Sequence, residues 1–83
     1  MEIKVLGSGC PNCKRLESLV HETVSELGVA ADVQKVTDFK EIASYGILAT
    51  PGLVVAGEVK VAGRVPNKAE ITSWVTTALE RAQ

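Results

Sequence analysis

Residues 2–16 read E-I-K-V-L-G-S-G-C-P-N-C-K-R-L, and this stretch specifies the first unit of the fold. Residues 2–6 alternate polar and apolar side chains, which is typical of a half-buried β-strand, and the Gly-Ser-Gly run that follows ends it. From Pro11 onward, apolar residues recur every three or four positions and predict an amphipathic helix that ends at Gly28. Both cysteines of the chain therefore lie where a predicted strand passes into a predicted helix.

The rest of the chain predicts three more strands and two more helices. The strands cover residues 31–36, 52–56 and 59–62, and the helices begin after Asp38 and after Asn67. Each of these two polar residues is followed three positions later by a glutamate, a pattern typical of a capped helix start. The dipeptide Gly57-Glu58 separates the last two strands and predicts the tight turn of an antiparallel hairpin.

The predicted order β-α-β-α-β-β-α defines an α/β fold. The first two strands are joined by a helical crossover, so we expect them to be parallel, with a right-handed connection. The hairpin adds two strands and gives a four-stranded mixed sheet of order 2-1-3-4. Helices one and three would cover one face of this sheet and the short second helix the other. A chain of 83 residues is too short for two separate cores, so we expect residues 1–83 to form a single domain.

Composition excludes several classes of function. Nine basic and ten acidic residues give a net charge of −1, and no run of like charge supports nucleic-acid binding. No stretch approaches the roughly 20 apolar residues of a membrane helix, and no signal-peptide core follows Met1. We therefore expect a monomeric cytoplasmic protein without a cofactor. In a reducing compartment, a C-x-x-C pair is more often catalytic or metal-binding than structural.

The spacing of the two cysteines points to thiol-disulfide chemistry. Cys10 lies at the start of the predicted helix and Cys13 about one turn later on the same side, so the two sulfurs can approach bonding distance. The unpaired N–H groups of the helix start favour a thiolate, and such cysteines have pKa values lowered to about 3.5–7.5. We expect Cys10 to attack a substrate disulfide and Cys13 to resolve the mixed disulfide. Lys14 is a candidate for adding positive charge near the thiolate.

The tripeptide Thr50-Pro51-Gly52 immediately precedes the third predicted strand. A proline cannot donate to a strand ladder, so its place at the head of a buried strand needs a reason. A cis bond between Thr50 and Pro51 beside the cysteines would leave the backbone of Thr50 free to pair with an extended substrate peptide. The alternative is an ordinary trans proline at the start of an edge strand.

The segments G-S-G-C-P-N-C-K, A-T-P-G-L-V-V and V-A-G-R-V-P together resemble the thioredoxin-like superfamily, most closely the small redox-active disulfide protein 2, or glutaredoxin-like thioredoxin, family of archaea and bacteria. The resemblance covers almost the whole chain and implies a thioredoxin fold. It implies Cys10 as nucleophile, Cys13 as resolving thiol and Pro51 as a cis-proline. It also suggests that Gly63 takes the position of close approach after the last strand. Thr50, Pro51 and Gly63 are thus the expected substrate-binding residues, with disulfide-bearing proteins and an unidentified disulfide reductase as partners.

The chain departs in three places from the pattern of the families that it resembles. Gly9 stands where thioredoxins have a tryptophan before the first cysteine. Lys4 stands where thioredoxins keep a buried aspartate, which predicts different proton handling during resolution. The run Gly63-Arg64-Val65-Pro66 stands where glutaredoxins have Gly-Gly and an acid that binds glutathione.

Two other functions remain as alternatives. Copper- or zinc-binding domains of similar size also carry a C-x-x-C between a strand and a helix, but they follow the order βαββαβ and end in a strand. The second alternative is a non-catalytic interaction scaffold in which the thiols have no role.

Overall fold

The computed structural model describes residues 1–82, which form a four-stranded sheet flanked by helices. The elements are β1 (Glu2–Leu6), α1 (Pro11–Leu27), β2 (Asp32–Val36), α2 (Phe39–Ser44), β3 (Gly52–Val55), β4 (Glu58–Ala62) and α3 (Lys68–Arg81). The strand order is β2-β1-β3-β4; β1 runs parallel to β2 and antiparallel to β3, which pairs antiparallel with β4. The predicted α/β fold and its sheet order 2-1-3-4 are confirmed. Within residues 1–82, no helix is both long and apolar enough to cross a membrane.

The hairpin turn lies one residue earlier than predicted. Ala56 and Gly57 form the turn, and Glu58 already pairs with Val55 as the first residue of β4. Both turn residues have positive φ angles, 50° at Ala56 and 83° at Gly57. Two-residue turns with this backbone match the right-handed twist of the strands that they join. The prediction of Gly57-Glu58 was wrong because an alanine carries no signal for a positive φ.

The sheet is covered on both faces, and each face has its own apolar cluster. On one face, α1 and α3 pack against β1, β3 and β4 through Ile3, Val5, Leu16, Val20, Leu53, Val55, Val61, Ile71 and Val75. On the other face, Ile42 of α2 packs with Leu6, Val36 and Val54. Because β3 lies in the interior of the sheet under both clusters, all four of its residues are buried. Burial on both faces explains why β3 reads as a continuous apolar run instead of an alternating one.

The start of α3 is held by a capping box and an ion pair. The side chain of Asn67 accepts from the backbone N–H of Glu70, and the Glu70 carboxylate accepts from the backbone N–H of Asn67. Arg64, in the loop after β4, donates two hydrogen bonds of 3.0 and 2.7 Å to the same carboxylate. The Arg64 guanidinium, helped by the Asn67 N–H, lowers the pKa of Glu70 to about 2. These contacts fix the chain where it leaves the sheet.

Candidate active site

The two cysteines form a disulfide that closes the first turn of α1. Cys10 is the N-cap residue, with φ −65° and ψ 161°, and its Cα lies 5.0 Å from that of Cys13. The backbone N–H of Cys13 donates to Sγ of Cys10 at 3.1 Å. A sulfur at an N-cap thus accepts from an amide that would otherwise have no partner in the helix.

The two sulfur-bearing residues differ in exposure. Cys10 is half-buried beside the exposed residues Gly9, Pro11 and Asn12, whereas Cys13 is only 5 % exposed. Thiol-disulfide exchange requires direct approach of one sulfur to another, so access is part of reactivity. Cys10 is therefore the residue of the pair that a large substrate can reach.

Gly7, at the end of β1, lies directly against Cys13. A β-carbon at position 7 would overlap Sγ of Cys13 and would lie 3.8 Å from Cβ of Thr50. The buried backbone of Gly7 is held by its N–H, which donates to the carbonyl of Val36 at 3.0 Å. Sequence reasoning treated Gly7 only as a strand breaker and missed this packing role. Gly7 lies two residues before Gly9, which precedes the N-cap residue Cys10. Nothing in this local sequence indicates that Gly7 packs against Cys13.

The loop before β3 brings Thr50 and Pro51 to the same end of the sheet as the disulfide. The peptide bond between these two residues is cis. Thr50 is exposed and Pro51 is buried, so the loop enters the core at the proline. Cys13 and Thr50 both lie close to Gly7, so this loop is adjacent to the disulfide.

Gly63 follows β4 and is tied to the same loop. Its N–H donates to the carbonyl of Pro51 at 2.8 Å, and its φ is +87°. A β-carbon at this position would lie 3.2 Å from Cβ of Ala49, which is tighter than ordinary packing. Gly63 thus lets two loops approach each other beside Pro51, and its N–H is engaged by the protein itself.

Lys14 lies on the exposed side of α1, directly after Cys13. It lines a cavity of about 360 Å³ that Cys13, Gly7 and Gly9 also line. A second cavity of about 460 Å³ lies on the other side of Ser8, between α2 and the loop that ends at Thr50. Cys13 lines the first of these cavities, and neither cysteine lines the second.

Lys4 of β1 contacts Tyr45, the C-cap residue of α2. Its Nζ donates to the hydroxyl of Tyr45 at 3.0 Å and lies 3.5 Å from Oε1 of Glu2. The hydrogen bond to Tyr45, with the negative charge of Glu2, raises the pKa of Lys4. Lys4 is therefore a cation that joins β1 to the C-cap of α2, and it has no proton-accepting capacity near neutral pH.

This arrangement supports one kind of chemistry. Two cysteines joined by a disulfide across one helical turn can accept two electrons from a thiol and become a dithiol. Within residues 1–82, there is no group of three or more His, Cys, Asp or Glu side chains placed to hold a metal ion. The elements of residues 1–82 follow the order β-α-β-α-β-β-α, which differs from the βαββαβ order of the metal-binding domains.

An α/β fold of this topology with a C-x-x-C disulfide at a helix start is that of a thiol-disulfide oxidoreductase. Comparison with known proteins agrees: the model of the thioredoxin domain family matches residues 1–76, and the chain belongs to that family. It is 45 % identical over 71 residues to a thioredoxin of Methanothermobacter thermautotrophicus, which covers 86 % of this chain and 92 % of the relative. It is 36 % identical over 78 residues to a thioredoxin of Methanocaldococcus jannaschii, covering 94 % of this chain and 90 % of the relative.

Proposed function

We propose that the protein reduces disulfides of other proteins, with Cys10 as the attacking thiol and Cys13 as the resolving thiol. The observation that carries the assignment is the asymmetry of the pair. Cys10 is half-buried at the helix start and its sulfur accepts the N–H of Cys13, while Cys13 is almost fully buried. An N–H directed at a sulfur stabilises the thiolate over the thiol, and the thiolate is the attacking species.

The reaction then proceeds in two exchanges. The Cys10 thiolate attacks one sulfur of the substrate disulfide, forms a mixed disulfide and releases the other substrate sulfur as a thiolate. The Cys13 thiol gives up its proton, and its thiolate attacks Sγ of Cys10, which releases the second substrate sulfur. The substrate gains two electrons and the protein is left with the Cys10–Cys13 disulfide. The Cα separation of 5.0 Å already suits that bond.

The substrate peptide would lie along the loop that carries Thr50 and Pro51. This loop is adjacent to the disulfide through the shared contact at Gly7, and Thr50 is exposed. An extended peptide can pair with exposed backbone of this kind while its own sulfur reaches Cys10. Gly63 supports the loop through its hydrogen bond to Pro51. Lys14 contributes positive charge beside the cysteines.

Continued turnover requires a source of two electrons, so we propose a separate disulfide reductase that returns Cys10–Cys13 to the dithiol. We also propose a reducing compartment such as the cytoplasm, because the two cysteines of the chain are both used in the redox pair. The proposed unit is a monomer with residues 1–83 as one domain.

The test is capture of a mixed disulfide. Cys13→Ser should accumulate a covalent adduct with a disulfide-bearing protein such as insulin, because its Cys10 can attack but the adduct cannot be resolved. Cys10→Ser should capture little, because the remaining cysteine is buried. His21→Ala, an exposed change on the same helix, serves as the control. Equal capture by both cysteine variants would contradict the assigned roles.

A further inference from the structure

The two most exposed large apolar side chains of residues 1–82 line the same cavity. Phe39, the first residue of α2, is 83 % exposed, and Leu48, in the loop before Thr50, is fully exposed. Both line the space of about 460 Å³ between α2 and that loop, which we call the α2 cavity. Single apolar side chains on a surface are common, but two that share one concave site indicate a binding surface.

The lining of the α2 cavity is mostly apolar. Ile42 and Ile47, which belong to the apolar cluster on this face of the sheet, line it together with Phe39 and Leu48. Its other lining residues are small: Ser8, Thr37, Ala43, Ala49 and Thr50. No charged side chain of residues 1–82 lines it. Because a charge that is removed from water without a partner is costly, such a site favours an apolar group over a charged one.

The α2 cavity is continuous with the loop along which the substrate peptide is proposed to lie. Thr50 lines the cavity and is also the residue whose backbone would pair with the peptide. Ser8, two residues before Cys10, lines it as well. Successive residues of an extended peptide are about 3.3 Å apart, so a residue two or three positions from the substrate cysteine lies about 7–10 Å from it. A peptide that pairs with Thr50 therefore brings a neighbouring side chain to the cavity.

The other surroundings of Cys10 expose no large apolar side chain. Lys14 is exposed on the first turn of α1, and Arg64 is exposed in the loop after β4. The remaining exposed large apolar residues of the described chain, Leu27 and Val59, lie at the far end of α1 and near the start of β4. A large apolar side chain of a substrate thus finds matching surface only on the side of α2.

We propose that the α2 cavity binds an apolar side chain of the substrate on one flank of its reactive cysteine. This inference rests on the proposed function and names the class of disulfide that the protein prefers, a cysteine with an apolar residue of leucine size within three positions. The cavity lies on the α2 side of Thr50, so only one flank of a peptide that pairs there reaches it. Phe39 and Leu48 set this specificity and take no part in the thiol exchange.

The test is single-turnover reduction of symmetric peptide disulfides by the full reduced chain. The reference peptide has a central cysteine with serine and glycine on both sides, and each variant peptide carries one leucine at a flanking position. Every turnover converts Cys10 and Cys13 to the disulfide and releases two peptide thiols. We expect leucine to raise the second-order rate constant about fivefold on one flank, because apolar surface is removed from water, and to leave it unchanged on the other. Aspartate at the same positions should give no gain.

Substitutions of the two exposed residues test the cavity itself. Phe39→Ser and Leu48→Ser should each reduce the gain from leucine to about twofold or less, while the rate with the reference peptide stays that of the parent chain. Leu27→Ser is the matched control, since it also removes an exposed apolar side chain but lies about 21 Å along α1 from Cys13. It should keep the full gain. A gain that is equal on both flanks, or that persists in both cavity variants, would overturn the proposal.

A second copy of this chain is another occupant that an apolar cavity accepts. Analytical ultracentrifugation of the parent chain at increasing concentration should show a monomer. A dimer that dissociates in Leu48→Ser would assign the α2 cavity to self-association and would also overturn the proposal.

Failure of this proposal is distinguishable from failure of the proposed function. If the parent chain reduces the reference peptide and Cys10→Ser does not, but leucine gives no preference, only the cavity assignment is wrong. If the parent chain does not reduce the reference peptide, or Cys10→Ser reduces it equally fast, the proposed function is wrong.

Discussion

Gly7 and Cys13 are in direct contact across the turn between β1 and α1, and any β-carbon at position 7 would overlap the sulfur of Cys13. In the disulfide, that sulfur is bonded to Cys10 and cannot move away. In the dithiol, the Cys13 side chain has other rotamers available. The space left by this glycine therefore favours the oxidised form of the protein.

Gly7→Ala should make the disulfide easier to reduce. Overpacking of a well-packed site costs about 1–3 kcal/mol, and about 1.4 kcal/mol corresponds to 30 mV for this two-electron couple. We expect a reduction potential less negative by about 20–60 mV, measured by equilibration with a thiol buffer. Ser8→Ala is the control, because Ser8 is an exposed residue of the same turn and the change adds no β-carbon beside the sulfur. An unchanged potential in Gly7→Ala would show that the sulfur is not confined by this contact.

Alkylation should distinguish the two thiols of the reduced protein. Cys10 is half-buried and its sulfur accepts an amide N–H, whereas Cys13 is 5 % exposed. With limiting iodoacetamide at neutral pH, we expect Cys10 to be labelled at least about tenfold faster than Cys13 and faster than free cysteine. Peptide mapping by mass spectrometry measures both rates. Similar labelling of the two residues would count against Cys10 as the attacking thiol.

The ion pair between Arg64 and Glu70 at the start of α3 should make the free energy of unfolding depend on pH in the acid range. Arg64 and the Asn67 N–H lower the pKa of Glu70 to about 2 from 4.5. A carboxyl with a lowered folded-state pKa stabilises the protein above its unfolded pKa, and this contribution is lost as pH falls from about 4.5 to 2. Glu70→Gln should therefore show a smaller drop in urea midpoint between pH 6 and pH 2 than the parent chain. Glu80→Gln is the control and should show the same drop as the parent chain. The same drop in all three proteins would contradict this role for Glu70.

Replacement of apolar residues by alanine should destabilise the protein in the buried core but not in the exposed loop before Thr50. Leu16 on α1 is fully buried between the sheet and α3, whereas Leu48, in the loop before Thr50, is fully exposed. Leu16→Ala should lower the free energy of unfolding by about 2–5 kcal/mol. Leu48→Ala should change it by no more than about 0.5 kcal/mol. Urea unfolding followed by circular dichroism measures both, and comparable losses would show that the loop is packed in solution.

Most of the fold could be predicted from local sequence patterns. The alternation in residues 2–6 and the apolar stripe of α1 correspond to β1 and α1 with the same bounds, because one buried face imposes a period on each element. Asp38 and Asn67 are N-caps, since a short polar side chain accepts the amides that a helix start leaves free. The hairpin turn was misplaced by one residue because the positive φ of Ala56 depends on strand pairing and not on its own propensity.

Local sequence was therefore sufficient for the strand–helix unit with Cys10 and Cys13 one turn apart, because helical geometry sets the distance between residues three apart. Long-range packing was required to place Thr50 beside Gly7, to join Gly63 to Pro51, and to direct Lys4 toward Tyr45. These partners are separated by 43, 12 and 41 positions in the chain. No local pattern encodes such a pairing, since each depends on which faces of the sheet and helices meet in the folded protein.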